Sequence, residues 1–120
     1  MASVEKTPKH PAVTFMVAMF HSNPSLSATD ISPQVGLSVS RMARLFKREM
    51  GISLVEYRNG LKMDRFFQLV EELGGRRSKI IMAAGAAGFR SYSQFHRLFR
   101  LRWRLGPREY FGRRGRSSPA

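Results

Sequence analysis

The chain has 120 residues, an apolar fraction of 42% and a formal net charge of +13, which suits one folded domain or two very small lobes and excludes a disordered tail. The charge is uneven: residues 1–75 carry nine Lys/Arg against seven Asp/Glu, whereas residues 76–120 carry twelve against one, so the second half is the stronger footprint for a polyanion. The absence of cysteine removes disulfides, thiolate catalysis and most zinc modules and fits a cytosolic protein.

In chain order, residues 1–9 are polar and read as a loose segment. Pro11 suits the first turn of a helix ending near His21, with Val13, Met16, Val17 and Phe20 as its apolar stripe. Lys6 and Lys9 ahead of Ala12–Phe20 faintly resemble a signal peptide. That run is far short of the ~20 apolar residues of a membrane span, and its helical periodicity assigns it to a packed helix. SNPSLS is a loop. Ser27, with Asp30 three residues on, caps a helix to about Val35, and Pro33 inside it predicts a short or bent element. Ser38 caps the next helix, to about Met50, with Met42, Leu45, Phe46 and Met50 as the apolar stripe and Gly51 as the C-cap.

Ser53 and Glu56 then form a capping-box pattern for a long helix, about Leu54 to Leu73, which Gly74-Gly75 ends. Ser78 is read as the cap of a helix over 79–86, whose small residues suit a close helix crossing. A helix through Phe95, Leu98, Phe99 and Trp103 follows, at i, i+3, i+4 and i+8. On another face it carries Ser93, Arg97, Arg100 and Arg104. Pro107 starts a last short helix to about Phe111, and RRGRSSPA reads as a loose basic tail.

Two stretches match each other: VGLSVSRMARLFKREMGISLVEYR from Val35 and AGFRSYSQFHRLFRLRWRLGPREYF from Ala87. Gly36 pairs with Gly88, Arg44 with Arg97, Leu45 with Leu98, Phe46 with Phe99, Lys47 with Arg100, Glu56 with Glu109 and Tyr57 with Tyr110. The second copy has one more turn residue. Each copy is a helix-turn-helix pattern, whose second helix enters the DNA major groove. The ~20-residue helix between the copies is about 30 Å long, close to the ~34 Å of one B-DNA turn. The sequence therefore predicts an all-α fold of about seven helices: a first lobe over 10–52, a linker helix over 53–74 and a second lobe over 75–112. Segments 1–9 and 113–120 lie outside the lobes.

This duplicated pattern, with GF…S-x-F-x-R-x-F in the second copy and a G-P…Y close, resembles the DNA-binding domain of the AraC/XylS family of bacterial transcription regulators, over about His10 to Phe111. The resemblance implies a sequence-specific regulator, usually an activator, with recognition helices in successive major grooves of double-stranded DNA. Val39, Ser40, Arg41, Ala43 and Arg44 correspond to the first recognition helix, and Arg90, Ser91, Tyr92, Ser93 and Arg97 to the second. Arg41 suits a bidentate guanine contact, Arg44 and Arg97 a phosphate or groove contact, and Lys47, Arg48 and Arg100 the DNA backbone. Ser32-Pro33, Phe66-Phe67 and Arg104 depart from the family pattern. Arg104 stands where a glycine is usual and Phe66-Phe67 where a small residue is usual; these departures predict a distorted first lobe or an altered crossing angle between the lobes, or else a partly exposed Phe66-Phe67 pair that serves a partner.

No nucleophile elbow, P-loop or metal-ligand spacing occurs, His10, His21 and His96 included, so neither enzyme nor cofactor is expected. Glu71 and Glu72 are neighbours on a helix and do not face each other. The expected setting is the cytoplasm, on the nucleoid, as a monomer on DNA without a membrane and with RNA polymerase as a protein partner. The alternatives are a nonspecific polyanion binder and a protein-interaction module contacting RNA polymerase or another regulator. Both a stand-alone regulator and the DNA-binding end of a longer protein fit the sequence.

Overall fold

The computed structural model describes residues 7–75 and 77–117, with side chains through Gly112 except that of Arg77. Among these residues there are seven α-helices and no strand: α1 Pro11–Ser22, α2 Ala28–Val35, α3 Val39–Met50, α4 Leu54–Glu72, α5 Ile80–Ala86, α6 Tyr92–Trp103 and α7 Pro107–Ser117. A single 3-10 turn, Arg77–Lys79, precedes α5. The chain divides into two compact units, Met1–Leu61 and Lys62–Ala120, with the boundary inside α4. No helix among the described residues is long and apolar enough to cross a membrane.

In the first unit α1, α2 and α3 contact one another. Val13, Met16 and Phe20 of α1 meet Ile31 of α2, Met42, Leu45, Phe46 and Met50 of α3, and Leu54 and Tyr57 of α4 in one buried cluster. The i, i+3, i+4 spacing of these residues puts them on one stripe of each helix. His10 is the N-cap of α1, its Nδ1 accepting the Ala12 N–H at 3.1 Å. Ser27 and Asp30 form the reciprocal capping box of α2, at 3.1 and 2.8 Å. Pro33 does not break α2. The helix runs only two residues beyond it before Gly36 turns left-handed at φ 81° and donates to the Ser32 carbonyl. Thr29, whose carbonyl loses its helical donor to Pro33, is exposed, so water can satisfy it.

A carboxylate ties the start of α1 to α3. Glu49 Oε1 accepts the backbone N–H groups of Lys9 (2.9 Å) and His10 (3.0 Å). The His10 donor first, then the Lys9 donor, hold this carboxyl below the usual carboxylate range. The folded state therefore favours the ionised form. Its contribution to stability is whole above the ordinary glutamate pKa, about 4.3, and is lost as pH falls through the lowered folded value. Denaturant unfolding of Glu49→Gln should lose less stability than the parent between about pH 6 and pH 3. An equal acid loss in both proteins would show that this tether contributes nothing.

The second unit is built on aromatic rings. Met63, Phe66 and Val70 of α4 are buried with Ile80, Ala83 and Ala84 of α5, Ala87, Phe89, and Phe95 and Phe99 of α6. Around them pack Phe67, Tyr92, Trp103, Tyr110 and Phe111. The partial exposure expected of the Phe66-Phe67 pair is found at Phe67 and not at Phe66. Phe66 is fully buried, 4.5 Å from the Phe95 ring centre, and half-buried Phe67 touches Phe99, Trp103, Tyr110 and Phe111. A small unit whose α5 is IIMAAGA has little aliphatic volume to bury, and large rings supply it.

Two local readings are also corrected. Ser78 lies within the 3-10 turn, so Lys79 occupies the N-cap position of α5 and makes no side-chain cap. Helix α7 continues past Phe111 to Ser117, over residues read as a loose tail. The rest of that tail, 118–120, and the start of the polar N-terminal segment, 1–6, lie outside the described residues.

Candidate nucleic-acid interface

The two sequence copies adopt the same local plan. Helix α3 begins after the N-cap Ser38, whose Oγ accepts the Arg41 N–H at 3.2 Å. Helix α6 begins after the N-cap Ser91, whose Oγ accepts the Gln94 N–H at 3.1 Å. Both helices have 12 residues, and each ends in a left-handed C-cap, Gly51 at φ 82° and Arg104 at φ 66°. Counted from the cap serines, Arg44 matches Arg97, Lys47 matches Arg100 and Gly51 matches Arg104. The extra turn residue of the second copy is thus absorbed before Ser91.

The first helix offers an exposed face. Val39, Ser40, Arg41, Arg44, Lys47 and Arg48 are all exposed and Ala43 is half-buried. Buried Met42, Leu45, Phe46 and Met50 hold the opposite face against the core. Val39, at 41% exposure, is an apolar surface residue at the first position of α3.

The second helix presents Ser93, Arg97 and Arg100 to solvent, with Arg90 and Ser91 exposed just before it. The remaining expected residues are more constrained. Ser91 uses its hydroxyl oxygen as the helix cap. Tyr92 is half-buried, its ring 5.6 Å from Phe95 and 6.0 Å from His96. Gln94, which matches Arg41 by register, turns its Oε1 back to the Arg90 N–H at 3.0 Å. A long polar side chain in that place therefore closes the turn instead of projecting freely.

Two residues not singled out in the sequence, His96 and Leu101, and Arg104, which the sequence puts on the face of Arg97 and Arg100, complete this surface. His96, Leu101 and Arg104 line one open concavity together with Ser93, Arg97 and Arg100. His96 lies close against Gly106: a Cβ there would stand 3.1 Å from His96 Nε2, a tight contact. The first copy has the reverse pairing, small Ala43 for His96 and larger Ser53 for Gly106. The exchange is readable in the sequence once the copies are aligned on their cap serines.

Arg104 is the only non-glycine residue with positive φ among the described residues; Gly36, Gly51, Gly74, Gly75 and Gly88 hold the others. For an L-residue this conformation costs roughly 1–2 kcal/mol, because Cβ crowds the following carbonyl. A cation at the C-terminus of α6 regains about 0.3–1 kcal/mol from the helix dipole, less than the strain. Among the described residues none of Arg97, Arg100 and Arg104 has an acidic partner. Arg97 and Arg100 share one side of α6 by their helical spacing, and Arg104 lines the same concavity, so the three charges lie together on one surface.

A family model described as a helix-turn-helix domain matches residues 31–113, which takes in α3 through α6 and both left-handed caps. No curated protein and no solved structure matches the chain.

Proposed function

The chain belongs to the AraC-type helix-turn-helix family of DNA-binding transcription regulators, and from that premise we propose that it reads a bipartite operator by setting α3 and α6 into successive major grooves. The observation that carries this reading is the repeated plan: cap serine, arginine six residues on, left-handed C-cap, present twice in one chain. A dimer is the usual source of two recognition helices; here one chain carries both, so a monomer suffices.

The proposed division of labour follows from exposure and chemistry. Arg41 is placed for bidentate contact with a guanine edge, and Val39 for apolar contact with a thymine methyl. Arg44 and Arg97 anchor the two helices. Lys47, Arg48 and Arg100 face phosphates, and exposed Arg90, just before α6, and Ser93, in its first turn, add contacts at the second helix N-terminus. Phosphate contacts supply affinity and steep salt dependence, while the base-edge contacts discriminate sequence. Activation through contact with RNA polymerase is part of the proposal, as is the cytoplasmic, bacterial setting that the family implies.

A competition assay tests the reading. Protein bound to a duplex carrying its preferred site should be displaced far more readily by the same duplex than by heparin, RNA or unrelated DNA at an equal concentration of anionic groups. Equal displacement by all four would assign the chain to nonspecific polyanion binding, which its charge imbalance alone would explain.

A further inference from the structure

We propose that Arg104 is a DNA-phosphate contact, retained in a backbone position suited to glycine because its guanidinium extends the row Ser93, Arg97, Arg100 to the end of α6. The inference rests on the reading that α6 meets DNA, and adds a residue and a contact to it.

Three observations converge. The matching C-cap of the other copy, Gly51, has almost the same backbone, φ 82° and ψ −8° against φ 66° and ψ 9°. Glycine therefore meets the turn's need without strain, and arginine brings strain with it. The Arg104 side chain lines the same concavity as Ser93, His96, Arg97 and Arg100. Ser93, Arg97 and Arg100 follow at helical spacings of four and three residues, and Arg104, the cap that ends α6, joins them by lining that concavity. Finally, Arg104 is exposed and has no acidic partner among the described residues, so no internal ion pair accounts for it.

The competing explanation is that Arg104 serves only the helix end, its charge complementing the dipole of α6. The two explanations separate in the salt dependence of binding. One phosphate contact contributes about 0.9 to the slope of log affinity against log salt. Wild type should therefore bind a duplex more tightly than Arg104→Gly, and that advantage should shrink by about 3.5-fold between 50 and 200 mM salt.

The experiment measures duplex binding across a salt series, and thermal melting, for wild type, Arg104→Gly, Arg104→Asn and Arg104→Lys. Asparagine tolerates the left-handed region without charge, and lysine restores charge without relieving strain. The glycine variant is expected to melt at a higher temperature yet bind with a slope lower by about 0.9, and equally so on preferred and unrelated duplexes. The asparagine variant should share the lower slope, and the lysine variant should recover the wild-type slope. A glycine variant that binds with unchanged affinity and slope overturns the contact, and one that melts lower than wild type overturns the strain. If wild type itself binds no duplex, the reading of α6 as a DNA-facing helix fails, and this inference with it.

Discussion

Replacing Phe66 by alanine is expected to cost about 3–5 kcal/mol and to unfold the second unit while the first keeps its structure. Phe66 is fully buried, and its ring meets Phe95 at 4.5 Å, Phe67 at 5.2 Å, Phe111 at 5.9 Å and Phe99 at 6.2 Å. Its removal takes away transfer free energy and leaves a cavity walled by stiff rings that cannot easily collapse. A unit of roughly 60 residues has about 3–9 kcal/mol of stability to lose. Hydrogen exchange should show α5 and α6 losing protection while α1 to α3 retain it. Uniform loss across both units would contradict two separate cores. Retained protection in α6 would mean that Phe66 is not the centre of the second.

The second large effect falls on binding. Arg44→Ala and Arg97→Ala remove the same cation from the same helical position of the two copies, and both residues are exposed, so neither change opens a core. Each is expected to weaken binding to the preferred duplex by about 1–3 kcal/mol, the range for a good specific contact. The double variant should come near the sum, because well-separated contacts add. Stability should change by no more than about 0.5 kcal/mol in either single variant. Gel-shift or anisotropy titration measures the first quantity and denaturant unfolding the second. If Arg97→Ala abolishes binding while Arg44→Ala leaves it untouched, only the second copy engages DNA.

Much of the fold was legible because its signals are local. Ser27 with Asp30, Ser38, Ser53 with Glu56, Pro11 and Gly51 all act within a turn of where they stand, and each bounds a helix as expected. The failures came where local chemistry competes with tertiary contact or with an unusual partner. Ser78 suits an N-cap, yet it sits in a 3-10 turn that contacts both α5 and α7. His10 caps α1 through a ring nitrogen, a role outside the usual cap residues. The full burial of Phe66 is not legible at a place where a small residue is usual in the family, because only the folded chain brings α6 and α7 rings onto α4.

The candidate interface was legible to a similar degree. Periodicity alone places Arg44, Lys47, Arg97 and Arg100 on solvent-facing stripes, and the structure keeps them exposed. It could not show that Gln94 is spent on the Arg90 backbone, since a side-chain rotamer decides that. Nor could it show that His96 lines the concavity with Gly106 close against its ring. The strain at Arg104 was half readable: the residue stands where glycine is usual, and φ 66° supplies the physical reason.

Selection of bound duplexes from a random DNA pool at near-physiological salt tests two-groove reading most directly. The expected result is a bipartite motif whose two elements lie about ten base pairs apart on one face of the duplex, bound by a single protein chain. Enrichment of one short element, or of no sequence at all, would contradict it.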